Sequence, residues 1–239
     1  MPSGWPAPAS TSDLRVVDLA QPIHPGMAGW RGSERAEVRV AELEDIQHSV
    51  AGGRISGTQL ATPAHAGTHV DAARHFFPDG RSIDQYAVAR FACRAVALDV
   101  RRGPGEPLDA DELRTLDPGI EPGDGVLLSF GWARRYEEPS YYDHPYLTAG
   151  AADYLLERRI NVLGVDTLTP DVPHGRRPAR YDFPVHARLL GADVLVIENL
   201  GAGLSRLVDR WFLLAFAPLQ LQGGDASPIA PIAILGDPG

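Results

Sequence analysis

Residues 63–77 read Pro63-Ala64-His65-Ala66-Gly67-Thr68-His69-Val70-Asp71-Ala72-Ala73-Arg74-His75-Phe76-Phe77. Three imidazoles and a carboxylate fall between His65 and His75, in a chain with only eight histidines. Neutral imidazole and carboxylate are the ligand set that Zn²⁺ and similar divalent ions take. On a helix, His65 and His69 would share a face at their spacing of four. Gly67, Thr68 and Val70 are poor helix formers, so a loop or strand is the better reading. On a strand, His69 and Asp71 share a face, and a turn at Ala66-Gly67 folds His65 back beside them. Two imidazoles and one carboxylate leave positions on an ion for water or substrate, which marks a catalytic rather than a structural site. With Cys93 the sole cysteine, a Cys₄ site is excluded. An HxxxHxD string also arises by chance. His75 weighs against chance, because a free imidazole beside a catalytic ion is a natural proton shuttle. It also reads as a further ligand or a surface residue, and Phe76-Phe77 as core packing.

Outward from this stretch the chain is mostly short strands. Ile55 to Thr62 alternates in the extended pattern after Gly52-Gly53 and leads straight into the histidines. Leu14 to Leu19 and Ala36 to Leu43 precede it as strands. Phe91 to Val100, Gly125 to Phe130, Asn161 to Asp166, Val194 to Ile197, Trp211 to Ala217 and Ile229 to Leu235 follow. Three helices are predicted. Asp109-x-x-Glu112 opens one that runs to Leu116, Thr148 caps one that runs to Arg159, and Pro184 starts one that Gly191 stops. Strands outnumber helices, and the expected fold is α/β, a single domain with a mixed-sheet, β-barrel-like core flanked by helices.

The 239 residues hold no internal repeat and no inter-domain linker. Residues 1–12 are Pro/Ala/Ser-rich and read as a flexible tail, leaving 13–239 as the domain. Residues 1–12 lack the basic and apolar pattern of a leader, so none is expected, and Trp211 to Leu221 is far shorter than the ~20 residues of a spanning helix. No membrane partner and a cytoplasmic protein are expected. A net charge of −9 argues against nucleic acid, which needs a basic face. One cysteine fits a reducing compartment.

A second half of the site is sought in His186 and Glu198. Glu198 ends an apolar strand, Val194-Leu195-Val196-Ile197-Glu198, and is expensive to bury unless paired or bound to an ion. His186 lies on the helix just before, so a short turn brings the two together. A surface histidine, and a strand-end glutamate paired with arginine, is the competing reading. The loop from Gly131 to Leu147 carries Trp132, Tyr136, Tyr141, Tyr142 and Tyr146. It reads either as a wall for a planar substrate or as ordinary packing.

At these residues the chain resembles the metal-dependent cyclase/hydrolase family that includes bacterial kynurenine formamidase. The family hallmark HxGTHxDxPxH stands here as His65 to His75. Further likeness runs through Val17-Asp18-Leu19, Trp30, Ser82-Ile83-Asp84, Gly164-Val165-Asp166-Thr167, His186-x-x-Leu189-Leu190 and Ile197-Glu198-Asn199-Leu200. The resemblance implies a cyclase-like swivelling α/β fold and one or two Zn²⁺ ions, with Mn²⁺ in some members. It implies that His65, His69 and Asp71 are first ligands, that Asp71 bridges two ions, and that His186 and Glu198 complete the second. It makes His75 the catalytic histidine, and Trp30 a residue that binds substrate; Phe76 is expected beside it. It implies a homodimer or homotetramer. One position departs: Ala73 stands where the hallmark has proline, which loosens the link between Asp71 and His75.

The reaction expected is hydrolysis of a small amide, lactam or lactone by metal-activated water, with His75 moving the proton. The alternative is a polyketide ring cyclase that polarises a ketone for aldol-type closure. A non-catalytic scaffold is a third class, and a retained free imidazole at His75 speaks against it.

Overall fold

A computed structural model describes residues 15–29, 37–42 and 56–236. The expectations for residues 1–12 and for Trp30 lie outside the described residues. Nine strands form one sheet. They are β1 (Arg15–Asp18), β4 (His69–Asp71), β5 (Ala92–Asp99), β7 (Gly125–Ser129), β9 (Val162–Val165), β10 (Leu195–Glu198), β11 (Arg210–Ala215), β12 (Ala226–Pro228) and β13 (Ile232–Leu235). The order across the sheet is β1-β13-β11-β5-β7-β9-β10-β4-β12. Strands β5, β7, β9 and β10 run parallel, and both wings are antiparallel. Strands β2 (Glu37–Glu42) and β3 (Ser56–Ala61) make a separate antiparallel pair, and β6 (Pro107–Leu108) and β8 (Tyr146–Leu147) a parallel one.

The parallel strands are apolar on both faces because both faces are covered. Val96 and Leu98 of β5, Val126 and Leu128 of β7, and Val196 of β10 point into a core under the helices α1 (Ala110–Leu116), α2 (Ala149–Glu157) and α3 (Pro184–Gly191). Their neighbours Ala95, Ala97, Leu127 and Ile197 point the other way, into a second core. That second core takes Val70 from one wing and Ala233 and Leu235 from the other, so the sheet curls until its wings share one interior. The architecture is a mixed α/β fold with a curled half-barrel sheet and three helices. Gly164 allows the curl to close tightly, since a Cβ there would sit 2.3 Å from Leu127 Cδ2. Among the described residues no helix is long and apolar enough to cross a membrane.

Capping follows the sequence at two helices and departs from it at the third. Asp109 and Thr148 side chains accept from Glu112 N and Ala151 N, as their positions predict. Helix α3 has no cap of its own, and Phe183 before it adopts the left-handed conformation at φ 50°. Helix α3 ends at Gly191, as expected, but the left-handed residue that follows the helix is Asp193, at φ 63°. A Cβ at Gly191 would press on the Phe77 ring at 3.1 Å.

Candidate metal centre

Three neighbouring elements bring the acidic and imidazole groups together. Strand β4 carries His69 and Asp71 on one face, with Val70 between them turned into the second core. Strand β10 lies antiparallel beside it, in a register that sets Glu198 opposite His69. Helix α3 places His186 in its first turn. Gly67, at φ 65°, makes the turn that folds His65 back, and the His65 and His69 rings meet edge-to-face with centroids 5.1 Å apart. His75 closes a short 3₁₀ turn, Ala73–His75, directly after β4.

The central atoms lie at short, regular spacings. His69 Nε2 is 3.4 Å from Asp71 Oδ1 and 3.3 Å from Glu198 Oε2. His186 Nε2 is 3.5 Å from Asp71 Oδ2 and 3.1 Å from Glu198 Oε1. His65 Nδ1 is 2.8 Å from Asp71 Oδ1. Yet His69 Nε2 and both Asp71 oxygens, all buried, make no aligned hydrogen bond among the described residues. Buried polar atoms are ordinarily bonded, so a cluster of unbonded ones facing a common point calls for something else. Nitrogen and oxygen ligands held at ~2.0–2.2 Å around a tetrahedral ion stand about 3.3–3.5 Å apart, close to the spacing seen here. Two groups of donors, His69–Asp71–Glu198 and His65–Asp71–His75, each have their ligand atoms within 4.8 Å of one another, and Asp71 belongs to both. The donor set fits a divalent ion.

Electrostatics agree. Burial opposes charge at every one of these groups and is overcome. The Asp71 and Glu198 carboxylates hold His69 up at about 10, against its burial. Asp71, with the Asp225 hydrogen bond, holds His65 up at about 9. The Asp171 hydrogen bond, with the Asp71 and Glu198 carboxylates close by, raises His186 well above its ordinary value. Asp71 is depressed well below the carboxylate range by His69 and His65, despite being buried. A divalent cation held among these groups would balance the carboxylates with its own charge.

Neighbouring groups fix which ring nitrogen faces inward. His69 Nδ1 donates to Gly67 O at 2.9 Å, and Asn199 Nδ2 donates to the same oxygen at 3.0 Å. Tyr141 OH in turn donates to Asn199 Oδ1 at 2.8 Å. His186 Nδ1 donates to Asp171 Oδ2 at 2.6 Å. Asp171 also accepts from Val185 N, His186 N and Tyr181 OH, so one buried carboxylate caps α3 and orients its histidine. Asp225 Oδ2 takes His65 Nε2 at 2.9 Å and His75 Nδ1 at 3.3 Å.

The structure thus assembles His65, His69, Asp71, His75, His186 and Glu198, six residues named by sequence. Glu198 pairs with His69 and His186 rather than with an arginine. Phe76 stacks on His186 with centroids 5.1 Å apart and planes 6° from parallel, and it meets Phe183 edge-on. Most of the aromatic loop is packing. Trp132, Tyr136 and Tyr141 are buried in the helix-side core, and Tyr141 braces the site from behind. Asp166 holds that loop by accepting from Phe130 N, Trp132 N and Ala133 N. Sequence reasoning missed Asp171 and Asp225. Both are single acids in glycine- or proline-rich loops, and only the folded chain shows what they touch.

Ala73 has a partner that proline could not have. Its N–H donates to Tyr86 OH at 3.2 Å, and Tyr86 OH donates to Asp193 Oδ1 at 2.8 Å. The missing ring is therefore offset by a hydrogen bond that ties the turn to the end of α3.

The model of the family described as "Putative cyclase" matches residues 17–172. The chain belongs to this cyclase family. Kynurenine formamidase from Bacillus cereus is 27% identical over 219 residues, covering 90% of this chain and 95% of that one. The Sphingopyxis alaskensis kynurenine formamidase is 27% identical over 223 residues, with 91% and 97% covered. Among solved structures, isatin hydrolase A from Ralstonia solanacearum superposes with a TM-score of 0.79 at 23% identity, covering 94% of this chain and 93% of that one. An isatin hydrolase bound to the product analogue thioisatinate reaches 0.83 at 21% identity, with 95% and 94% covered. Superposition over nearly the whole of each chain means that these neighbours share the fold of this one.

Proposed function

We propose that this cyclase-family protein is a metal-dependent hydrolase of a small amide, using His75 to move the proton. The observation that supports it most is Asp71, a buried carboxylate without an aligned hydrogen bond, shared between two donor groups of which one contains His75. The formamidase relatives, aligned over nine-tenths of the chain, support the amide as the bond cleaved.

His65, His69, Asp71, His186 and Glu198 would hold the ion. When bound, the ion supplies a Lewis acid for the carbonyl and a nucleophile at neutral pH. The chain does the rest. His75, half-exposed at the mouth of the site, takes a proton from the attacking water and returns it to the leaving nitrogen as the C–N bond breaks. Phe76 and Phe183, set edge-to-face beside His186, offer an apolar wall against which a flat acyl or aryl group lies. Trp30 belongs to the same reading as a residue that binds substrate. Zn²⁺ is the ion of choice for a donor set this rich in imidazole. The reading includes a homodimer, supported by apolar side chains left exposed at Leu60, Val88 and Leu219, and a cytoplasmic enzyme, supported by the free thiol of Cys93.

The test is a panel of N-formylkynurenine, isatin and small lactones given to the Zn²⁺-loaded protein. Turnover of an amide that stops on chelation and resumes on adding Zn²⁺ is expected. Inertness toward every member, with conversion of a poly-β-ketone instead, would show the cyclase chemistry and end the hydrolase reading.

A further inference from the structure

We propose that Asp225 is a positioning residue that sets the tautomers of His65 and His75 through one carboxylate oxygen. This rests on the metal-dependent reading above. Asp225 Oδ2 lies 2.9 Å from His65 Nε2 and 3.3 Å from His75 Nδ1. An ionised carboxylate only accepts, so each contacting nitrogen must carry the proton. A neutral ring is then left with a bare lone pair on its other nitrogen. For His65 the other nitrogen is Nδ1, which faces Asp71 Oδ1 at 2.8 Å, the side on which an ion would be held. For His75 it is Nε2, the form a general base needs. The two rings lie 4.1 Å apart and tilted by 40°, so moving one moves the other.

The oxygen is placed by the sheet. Asp225 directly precedes β12, its carbonyl accepts from Ala72 N at 2.9 Å, and the next residue, Ala226, stands in register with Asp71. Main-chain pairing thus fixes Asp225 against the strand that carries the ligands. His75 has no other side-chain hydrogen bond among the described residues. Its backbone is held by Ala72 O and its neighbour Ala73 by Tyr86, but the ring itself is aimed by Asp225.

The competing reading is a plain surface ion pair, since Asp225 is 45% exposed and such pairs contribute little. Two variants of the full chain separate the readings. Asp225→Asn keeps an acceptor oxygen and removes the charge, and Asp225→Ala removes both. Zn²⁺ affinity is read by chelator competition, and the histidine tautomers by long-range ¹H–¹⁵N spectra of the Zn²⁺-loaded protein. Asp225→Ala is expected to weaken Zn²⁺ binding about 10- to 100-fold. It should also convert His75 from a single Nδ1–H form to a mixture, and lower kcat about 100-fold with KM within roughly threefold. Asp225→Asn should restore affinity and tautomer to within about threefold of the parent. Parent-like affinity and spectra in Asp225→Ala would overturn the proposal, as would an Asp225→Asn variant as impaired as the alanine. Neither readout needs turnover. A parent protein that binds Zn²⁺ with ordered tautomers and hydrolyses no amide would remove the proposed reaction and leave Asp225 in its role.

Discussion

Asp71 divides the site into two unequal sides. On the inner side His186 and Glu198 side chains are 5% and 10% exposed, and His69 is 1%. On the outer side His65 and His75 are 27% and 31% exposed, and the Asp225 that aims them is 45%. The inner rings are fixed by buried partners, a carbonyl at Gly67 and the Asp171 carboxylate, each embedded in further bonds. The outer rings hang from one half-exposed oxygen. Buried charges must be matched or they destabilise strongly, whereas exposed ones can be rearranged at small cost. On the proposed function, the inner side would retain the ion, and the outer side would meet substrate, exchange protons and let product leave.

Removing an inner ligand should do most damage. Glu198→Ala removes one of the three buried carboxylates, with Asp71 and Asp171, that face the His69 and His186 rings, a loss of about 3–5 kcal/mol for a broken buried pair. Denaturant unfolding of the metal-free protein should show that drop, and elemental analysis of protein purified in Zn²⁺ should find less than stoichiometric metal. His75→Ala should act oppositely. Turnover falls by about 10²–10⁴-fold while metal content and stability stay near the parent. If His75→Ala strips an ion as thoroughly as Glu198→Ala, the two sides are equivalent, and His75 is a ligand before it is a base.

The inner and outer sides also differ in how they can be read from sequence. His65, His69, Asp71 and His75 lie within one run because the turn at Gly67 and the two-residue period of β4 gather them locally. Glu198 was legible as a charge at the end of an apolar strand, an arrangement that is costly without a partner. What sequence did not contain was the β4–β10 register, which brings Glu198 opposite His69 from 129 residues away. Strand β12 escaped notice because Ala226-Ser227-Pro228 has no strand signature and pairs only through β4. Asp225 was lost with it. Asp171 was hidden for another reason: α3 takes its cap from a distant loop, so no residue before Pro184 advertises the helix start. The aromatic loop left two readings open because residue type records apolar area, whereas the path of the chain at Trp132, and so the burial of its ring, is held by the buried Asp166 carboxylate.

Asp171 offers a graded test of the inner side. Asp171→Ala frees His186 Nδ1 and uncaps α3 together, so Zn²⁺ affinity should fall about 10- to 100-fold. Stability should fall by about 1–2 kcal/mol for the lost cap. Asp171→Asn keeps an acceptor and should recover most of the affinity, as measured by chelator competition. An Asp171→Ala protein with parent affinity would mean that α3 aims His186 unaided, and that the inner side is held by packing alone.

The smallest effect expected is at Ala73. It opens a 3₁₀ turn, and Ala72 before it sits at φ −99°, ψ 162°, the extended conformation that precedes proline comfortably. Ala73→Pro should therefore fold. It forfeits the N–H bond to Tyr86, about 1 kcal/mol, and gains roughly 0.4–1 kcal/mol through a stiffer unfolded chain. Stability should stay within about 1 kcal/mol of the parent and activity within about threefold. The informative measurement is the pair with Tyr86→Phe. In the parent that change removes two hydrogen bonds, to Ala73 and to Asp193, and in the proline background only the second. The cost of Tyr86→Phe should then be smaller by about 1 kcal/mol when proline is present. Equal costs in both backgrounds would show that the Ala73–Tyr86 bond contributes nothing. The outer side would in that case depend on Asp225 by itself.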